Sequence, residues 1–348
     1  MDTAPRTITI LGVGQMGLVC AGLLTANSRP AGDIPPDVRM WGHDPDECDH
    51  LAQARESGRL ENFRLADSVR VCAQAKDALA DTELIVSAIP VQFTRAAWAE
   101  LRQHVPAKAA VVSVAKGIEN GTLLRPTQIV ADALADDPDG SPRPFACLSG
   151  PTIATELARC LPATMIAASD REGFAGELQQ LFSTSYMRIY TNPDLLGVEL
   201  AGATKNVIAI AAGIIDGLAA GSNAKSALLS RGLAEIARLG AAMGASPETF
   251  FGVADLGDLA TTCFSPEGRN RSCGEALGRG TRLEDYLASS TSVVEGVATT
   301  QSVVDLAERF RVDMPITRAV HAVLHGGLDP IEAIGRLMSR DLRDERLA

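Results

Sequence analysis

A strand signal that recurs through the first half of the chain and then stops narrows the possible folds most. Short β-rich runs stand at 7–11, 38–41, 69–72, 84–89, 110–115, 145–149, 163–168 and 186–190, separated by helix-compatible stretches. Two of them, Leu84-Ile85-Val86-Ser87-Ala88-Ile89 and Ala110-Val111-Val112-Ser113-Val114, are apolar with no alternation. A strand with one wet face alternates; a continuous apolar strand has both faces covered, as in a parallel sheet flanked by helices. Strands alternating with helices along the chain therefore predict a doubly wound α/β domain. After about residue 191 the period changes. Residues 195–219 are apolar and rich in Gly and Ala, and Leu229, Leu233, Ile236, Leu239 and Met243 follow helical spacing. Further helices are expected at 298–310, 315–325 and 330–338, the last two opening near Pro315 and Pro330. A chain of 348 residues exceeds what one core usually serves. The expectation is an α/β domain over 1–191 and an all-α domain over 192–348. The Pro-rich segments 29–36 and 136–144 read as surface loops rather than linkers.

Charge excludes some classes of partner. The 43 acidic residues outnumber the 32 Lys and Arg, for a formal charge of −11. So acidic a chain is a poor general nucleic-acid binder and has no electrostatic attraction to an anionic membrane. An anionic ligand must be held by a few local cations and backbone N–H groups. The seven cysteines are scattered with no CxxC pair, which points to reduced thiols rather than a disulfide framework or structural zinc. A strand begins almost at once, with no basic and apolar leader before it. The apolar run Val207–Ile215 ends at Asp216, short of the ~20 residues a membrane span needs. A cytoplasmic protein without stable membrane association is expected.

The first strand runs directly into Gly12-Val13-Gly14-Gln15-Met16-Gly17 and then a helix-compatible stretch. Alone, GxGxxG is a weak signal; between a first strand and a first helix it marks a Rossmann-type dinucleotide cradle. Gly12 permits the tight turn, Gly14 a close approach to pyrophosphate, and Gly17 close helix–strand packing. Helix-start amides then face the phosphates. The second strand ends in Gly42-His43-Asp44. Asp44 suits a ribose 2′-OH and His43 a 2′-phosphate, so NAD and NADP both fit, with a lean to NADP.

Two lysines stand in unusual places. Lys116 follows strand 110–115 and precedes Gly117, at the end of a sheet where such folds bind ligands. Lys205 is the only charged residue between Glu199 and Asp216, in a stretch apolar enough to be core. A lysine there either snorkels to the surface or has a task. Desolvation or a second cation would lower its pKa into the range of a general acid facing a carbonyl. A third cluster holds Asp255-Leu256-Gly257-Asp258 and then Gly268-Arg269-Asn270-Arg271. Asp258 could orient a lysine or a substrate hydroxyl, and Arg269 is a fork suited to phosphate, with Asn270 beside it. The bland alternatives are a charged helix cap and a solvated basic turn. His321 and His325 have metal-pair spacing but no third ligand, so no metal is expected.

Together these segments resemble the bacterial NAD(P)-dependent glycerol-3-phosphate dehydrogenases. The pieces are Gly12 to Gly17, Trp41 to Pro45, Ala115-Lys116-Gly117-Ile118-Glu119, and Ser149-Gly150-Pro151-Thr152 with Ala154 and Glu156. They continue with Gly202 to Val207, Gly257-Asp258-Leu259, Gly268 to Arg271 and Val293-Val294-Glu295-Gly296. The resemblance implies reduction of dihydroxyacetone phosphate by NADH or NADPH to sn-glycerol 3-phosphate, reversibly, for glycerophospholipid synthesis. It implies Lys205 as proton donor and acceptor, with Lys116 between cofactor and substrate and Asp258 beside them. Gly150, Thr152, Gly268, Arg269 and Asn270 would complete the substrate site. The cofactor contacts would be Gln15, Met16, His43, Ala154, Arg269, Val293 and Glu295 in addition to the glycines. A small-molecule substrate is implied, with no nucleic acid, and a homodimer is compatible. Met16 stands where the family usually has an aromatic residue, and 58–68 lacks its Tyr-Leu-Pro run. A β-hydroxyacid dehydrogenase shares Gly-x-Gly-x-Met-Gly, but Lys116, Gly150-Pro151-Thr152 and Arg269-Asn270 favour a phosphate ester. A non-catalytic NAD(P) sensor would have no need of the two lysines.

Overall fold

The computed structural model describes residues 6–26, 34–134, 143–290 and 292–342. The loop expectations at 29–33 and 136–142 lie outside the described residues. The chain forms two compact units, Met1–Ala115 with Pro126–Leu195, and Lys116–Arg125 with Leu196–Ala348.

The first unit is built on an eight-stranded sheet in the order β3-β2-β1-β4-β5-β6-β7-β8. The strands are β1 (Thr7–Leu11), β2 (Asp37–Trp41), β3 (Arg70–Cys72), β4 (Leu84–Ser87), β5 (Ala110–Ser113), β6 (Phe145–Ser149), β7 (Ala163–Ala168) and β8 (Met187–Asn192). Helices α1 (Gln15–Thr25), α2 (Pro45–Ala54), α3 (Ala75–Leu79), α4 (Val91–Leu101), α5 (Pro126–Ala133), α6 (Ala154–Ala158) and α7 (Phe174–Phe182) complete it. Successive residues of one strand enter different cores. Leu84 and Val86 join Leu18, Leu24, Leu178 and Phe182 on one face. Ile85 joins Trp98, Leu101 and Val130 on the other. That two-sided burial is the reason β4 reads as an unbroken apolar run. The runs expected to reach 89 and 115 leave the sheet at Ser87 and Ser113.

The sheet departs from a purely parallel one at a single pairing. β7 lies antiparallel to β6, with Leu148 opposite Ala167, and β8 then runs parallel to β7. The five residues of α6 rise only about 7.5 Å. Through this short helix the chain re-enters the sheet in the opposite sense.

The second unit contains α8 (Leu195–Gly217), α9 (Gly221–Met243), α10 (Asp258–Phe264), α11 (Arg269–Gly278), α12 (Leu283–Ser289), α13 (Glu295–Arg309), α14 (Pro315–His325) and α15 (Pro330–Met338). Its described residues include no strand. Lys116–Arg125, which a division at 191/192 would assign to the sheet, groups with the helices. Ile118 is fully buried in the helical core. Ser302 Oγ donates to the Ile118 carbonyl at 3.2 Å, and Asn206 Nδ2 donates to that of Lys116 at 3.3 Å.

Helix α8 exceeds the apolar run seen in sequence: at 23 residues it is long and apolar enough to cross a membrane. However, 94% of its most apolar window is buried inside the fold. Its small residues let backbones touch. A Cβ on Gly213 would lie 1.9 Å from the Arg271 carbonyl oxygen, and one on Gly274 would lie 2.0 Å from that of Ile210. Helix α11 is thereby packed directly on α8.

Candidate active site

In the first unit the site is a cradle of backbone. Gly12 follows β1 at φ +117°, and a Cβ there would meet the Ala88 carbonyl oxygen at 2.7 Å. A Cβ on Gly17 would sit 2.0 Å from the Gly12 carbonyl oxygen. Gly14, the residue capping α1, faces open space, with no atom within 4 Å of the position a Cβ would take. The first turn of α1 has no side-chain capping bond and no acidic residue. Its leading amides are therefore uncompensated by a side chain, and the helix dipole adds positive potential there. Gln15 and Met16 lie half-buried in this turn, Met16 against the core. At the carboxyl end of β6, Ser149 Oγ is buried without a hydrogen-bond partner. Beyond it, Thr152 Oγ1 donates to the Gly150 carbonyl at 3.1 Å. Ala154 opens α6. An open pyrophosphate cradle and an orphan hydroxyl at a strand end fit a dinucleotide.

The residues after β2 divide differently from the two cofactor readings. His43 is exposed. Asp44 Oδ1 accepts from Asp46 N at 2.9 Å and Glu47 N at 3.4 Å, capping α2. Pro45 at the first helical position makes this a strong helix start.

In the second unit the site is a cluster of charges. Lys116 Nζ donates to Asp258 Oδ2 at 2.6 Å. Lys205 Nζ lies 3.2 Å from Asp258 Oδ1 and donates to Thr262 Oγ1 at 2.6 Å. Thr262 in turn donates to the Asp258 carbonyl at 2.7 Å, one helical turn back. Lys205 does not snorkel: it is 4% exposed, and Asp258 2%. Asp258 thus orients two ammonium groups at once. Burial lowers the Lys205 pKa below the ordinary lysine value, Asp258 opposes that shift, and Lys116 adds to it. The Cys263 thiol is pushed up to about 12, chiefly by burial.

The basic turn also splits. Gly268 caps α11, and Arg269 at its first position is exposed. Asn270 is buried, and its Oδ1 accepts from Gly296 N at 2.9 Å, tying α11 to the start of α13. Arg271 pairs with Asp216 at 2.6 Å and with Glu275 at 3.3 Å. Val293 is exposed and Glu295 opens α13.

The comparisons with known proteins bear on this arrangement. Residues 7–175 match the model for the N-terminus of NAD-dependent glycerol-3-phosphate dehydrogenase, and residues 194–335 the model for its C-terminus. The chain belongs to the NAD-dependent glycerol-3-phosphate dehydrogenase family. It is 41% identical over 336 residues to the glycerol-3-phosphate dehydrogenase [NAD(P)+] of Bacillus pumilus, covering 96% of this chain and 94% of that one. It is 40% identical to a Salinibacter ruber member, covering 97% of each chain. The crystal structure of glycerol-3-phosphate dehydrogenase from Coxiella burnetii superposes with a TM-score of 0.88 at 34% identity, over 97% of this chain and 99% of that one.

Three features of the family member's site escaped the sequence reading. Thr262 is legible only once α10 is known to start at Asp258, since the two are then a turn apart. Asn206 follows Lys205 in a helix and gives no local sign that its amide holds the Lys116 carbonyl. Asp216 draws in both Lys225, at 2.7 Å, and Arg271, a junction of α8, α9 and α11 with no sequence signature. His321 is occupied otherwise: its Nε2 meets Gln301 Oε1 at 2.7 Å, and its ring faces His325 at 5.1 Å.

Proposed function

We propose that the chain catalyses the reversible reduction of dihydroxyacetone phosphate to sn-glycerol 3-phosphate, a precursor of glycerophospholipids. The bound nicotinamide supplies or takes up the hydride. The observation that carries this reading is Lys205, an almost wholly buried ammonium 3.2 Å from a carboxylate that a second ammonium also holds. Reduction of a ketone builds negative charge on its oxygen, and a group of lowered pKa beside that oxygen can hand over a proton. In this reading Lys205 gives the proton, Asp258 aims it, and Lys116 adds positive charge where the alkoxide develops. Gly150, Thr152, Gly268 and Asn270 surround the substrate, and Arg269 meets its phosphate. Gly12, Gly14, Gln15, Met16 and Gly17 hold the cofactor pyrophosphate. His43, Lys116, Ala154, Arg269, Val293 and Glu295 make its remaining contacts. The exposure of His43, beside an Asp44 whose Oδ1 caps α2, supports a lean to NADPH. A cytoplasmic enzyme using only small molecules is consistent with this chemistry.

The test is oxidation of NADH and NADPH, followed separately, with dihydroxyacetone phosphate as acceptor and a β-keto acid as control. Oxidation with the phosphorylated ketone alone is expected. Oxidation with the keto acid instead would move the chain to the β-hydroxyacid reading.

A further inference from the structure

The start of α13 is wedged between the two helices that carry Lys205 and Arg269. Gly296, the second residue of α13, is buried, and its N–H donates to Asn270 Oδ1 on α11 at 2.9 Å. A Cβ at Gly296 would meet Asn270 Oδ1 at 2.7 Å, the Asn206 carbonyl oxygen on α8 at 2.9 Å, and Ile210 Cδ1, also on α8, at 2.9 Å. The gap between α8 and the first turn of α11 is therefore one peptide thick at this point, and a residue without a side chain fills it. Each wall of the gap is the neighbour of a charged group: Asn206 follows Lys205, and Asn270 follows Arg269. Adjacent Cα atoms stand about 3.8 Å apart, so a shift of either wall carries its charged neighbour with it.

The wedge is held in place from both sides. Thr300 Oγ1 donates to the Gly296 carbonyl at 2.6 Å, and Ser302 Oγ donates to that of Ile118 at 3.2 Å, tying α13 to the segment that follows Lys116. Farther along, α8 and α11 touch backbone to backbone. A Cβ on Gly217 would meet the Glu275 carbonyl oxygen at 2.3 Å, and one on Gly278 that of Ile214 at 2.5 Å. Arg271 and Asp216 close this seam at 2.6 Å. Packing this close transmits strain rather than absorbing it.

We propose that Gly296 is a specificity-determining positioning residue: a spacer one peptide thick that fixes the span between Lys205 and Arg269, and so the length of phosphorylated ketone that can meet both. The inference rests on the function proposed above, in which Lys205 protonates the carbonyl oxygen and Arg269 meets the phosphate. In dihydroxyacetone phosphate one carbon stands between the carbonyl carbon and the ester oxygen. A ketone one methylene longer, seated with its carbonyl at Lys205, carries its anionic end past Arg269. Gly296 takes no part in the proton transfer; it acts only through the placement of the residues on its two sides.

The experiment measures kcat and KM for two ketones in the wild type and in Gly296→Ala. One is dihydroxyacetone phosphate. The other is a hydroxyketone phosphonate with one extra methylene, in which CH2 replaces the ester oxygen so that phosphate cannot be eliminated. The wild type should prefer the shorter ketone by ~100-fold in kcat/KM, the usual cost of a misplaced reacting group. Non-bonded contacts settle near ~3.5 Å, so the added Cβ must part the two walls by about half an ångström or more. The KM for dihydroxyacetone phosphate should rise ~10-fold, and the preference for it should fall to ~10-fold or less. Loss of packing alone would lower the melting temperature and slow both ketones in proportion, leaving their ratio where it was. Should Gly296→Ala not fold, the double variant with Ile210→Val keeps the test. Deleting Cδ1 relieves the apolar contact and leaves the two oxygen contacts that set the span. An unchanged ratio in a folded variant, or a wild type that reduces the two ketones equally well, overturns the spacer and leaves the reaction standing. A wild type that oxidises cofactor with neither ketone overturns both.

Discussion

The two units build their polar sites by opposite means. In the first, the cradle of Gly12, Gly14, Gln15, Met16 and Gly17 contains no charged side chain; its positive potential comes from amides at the start of α1. In the second, Lys205 and Asp258 are buried and Lys116 half-buried, and ion pairs join the three side chains. The contrast matches the tasks assigned to them. A cofactor pyrophosphate keeps its charge through the reaction, so fixed dipoles suffice to hold it. A reducing carbonyl changes charge, and only a titrating group beside it can follow that change. Fixed dipoles need close backbone approach and hence glycine. Titrating groups need desolvation, which is offset here by ion pairing.

If that division holds, the largest effect comes from removing the titrating group. Lys205→Ala should lower kcat by ~10²–10⁴-fold while leaving the NADPH dissociation constant nearly unchanged. Stopped-flow turnover with fluorescence titration of the cofactor separates the two quantities. Near-normal turnover would remove Lys205 from the chemistry and with it the contrast between the units.

The complementary break is in the cradle. Gly17→Ala places a Cβ where the Gly12 carbonyl oxygen stands 2.0 Å away, so the turn must open. Cofactor affinity should fall ~100-fold, equivalent to ~2.8 kcal/mol. Turnover at saturating cofactor should fall much less. Isothermal titration beside kcat measured at high NADPH is the check. Equal losses in both would mean that the cradle also aligns the reacting atoms.

The same contrast explains what could be read from the sequence. Glycine spacing is local, so the cradle was legible from Gly12 to Gly17, and the two-sided burial of β4 was legible from its unbroken apolar run. Lys205 was conspicuous as a lone charge in an apolar stretch. Its company was not: Lys116 and Asp258 stand 142 residues apart, and no local pattern encodes that pairing. Asp255 stands three residues before Asp258 in the sequence, yet its lack of hydrogen-bond partners depends on packing. Asp44 stayed ambiguous because a carboxylate before Pro45 reads equally well as a ribose acceptor and as a helix cap, and the cap is the role its Oδ1 fills. Strand direction left no trace in the composition of β7, since side chains covered on both faces look alike in either sense. The extent of α8 was legible: the apolar, Gly- and Ala-rich stretch 195–219 brackets the observed Leu195–Gly217, because Lys205 and Asp216 interrupt the apolar run without interrupting the helix.

The smallest expected effect sharpens the comparison where the second unit most resembles the first. Arg269 is an exposed cation at the first position of α11, where the helix amides also point outward. A substrate phosphate there would be held by a side chain and by backbone together. Arg269→Ala removes only the side-chain share. A charge-assisted hydrogen bond is worth ~1.5–3 kcal/mol, and solvent screening places an exposed one at the low end. The Michaelis constant for dihydroxyacetone phosphate should therefore rise ~10-fold, with kcat nearly intact. The rise should shrink as ionic strength increases, because exposed charges are screened beyond ~10 Å at 0.1 M salt. Steady-state kinetics at two salt concentrations is the measurement. A Michaelis constant that does not move would assign the phosphate to the amides of α11 alone, and the second unit would then also hold its fixed charge by backbone.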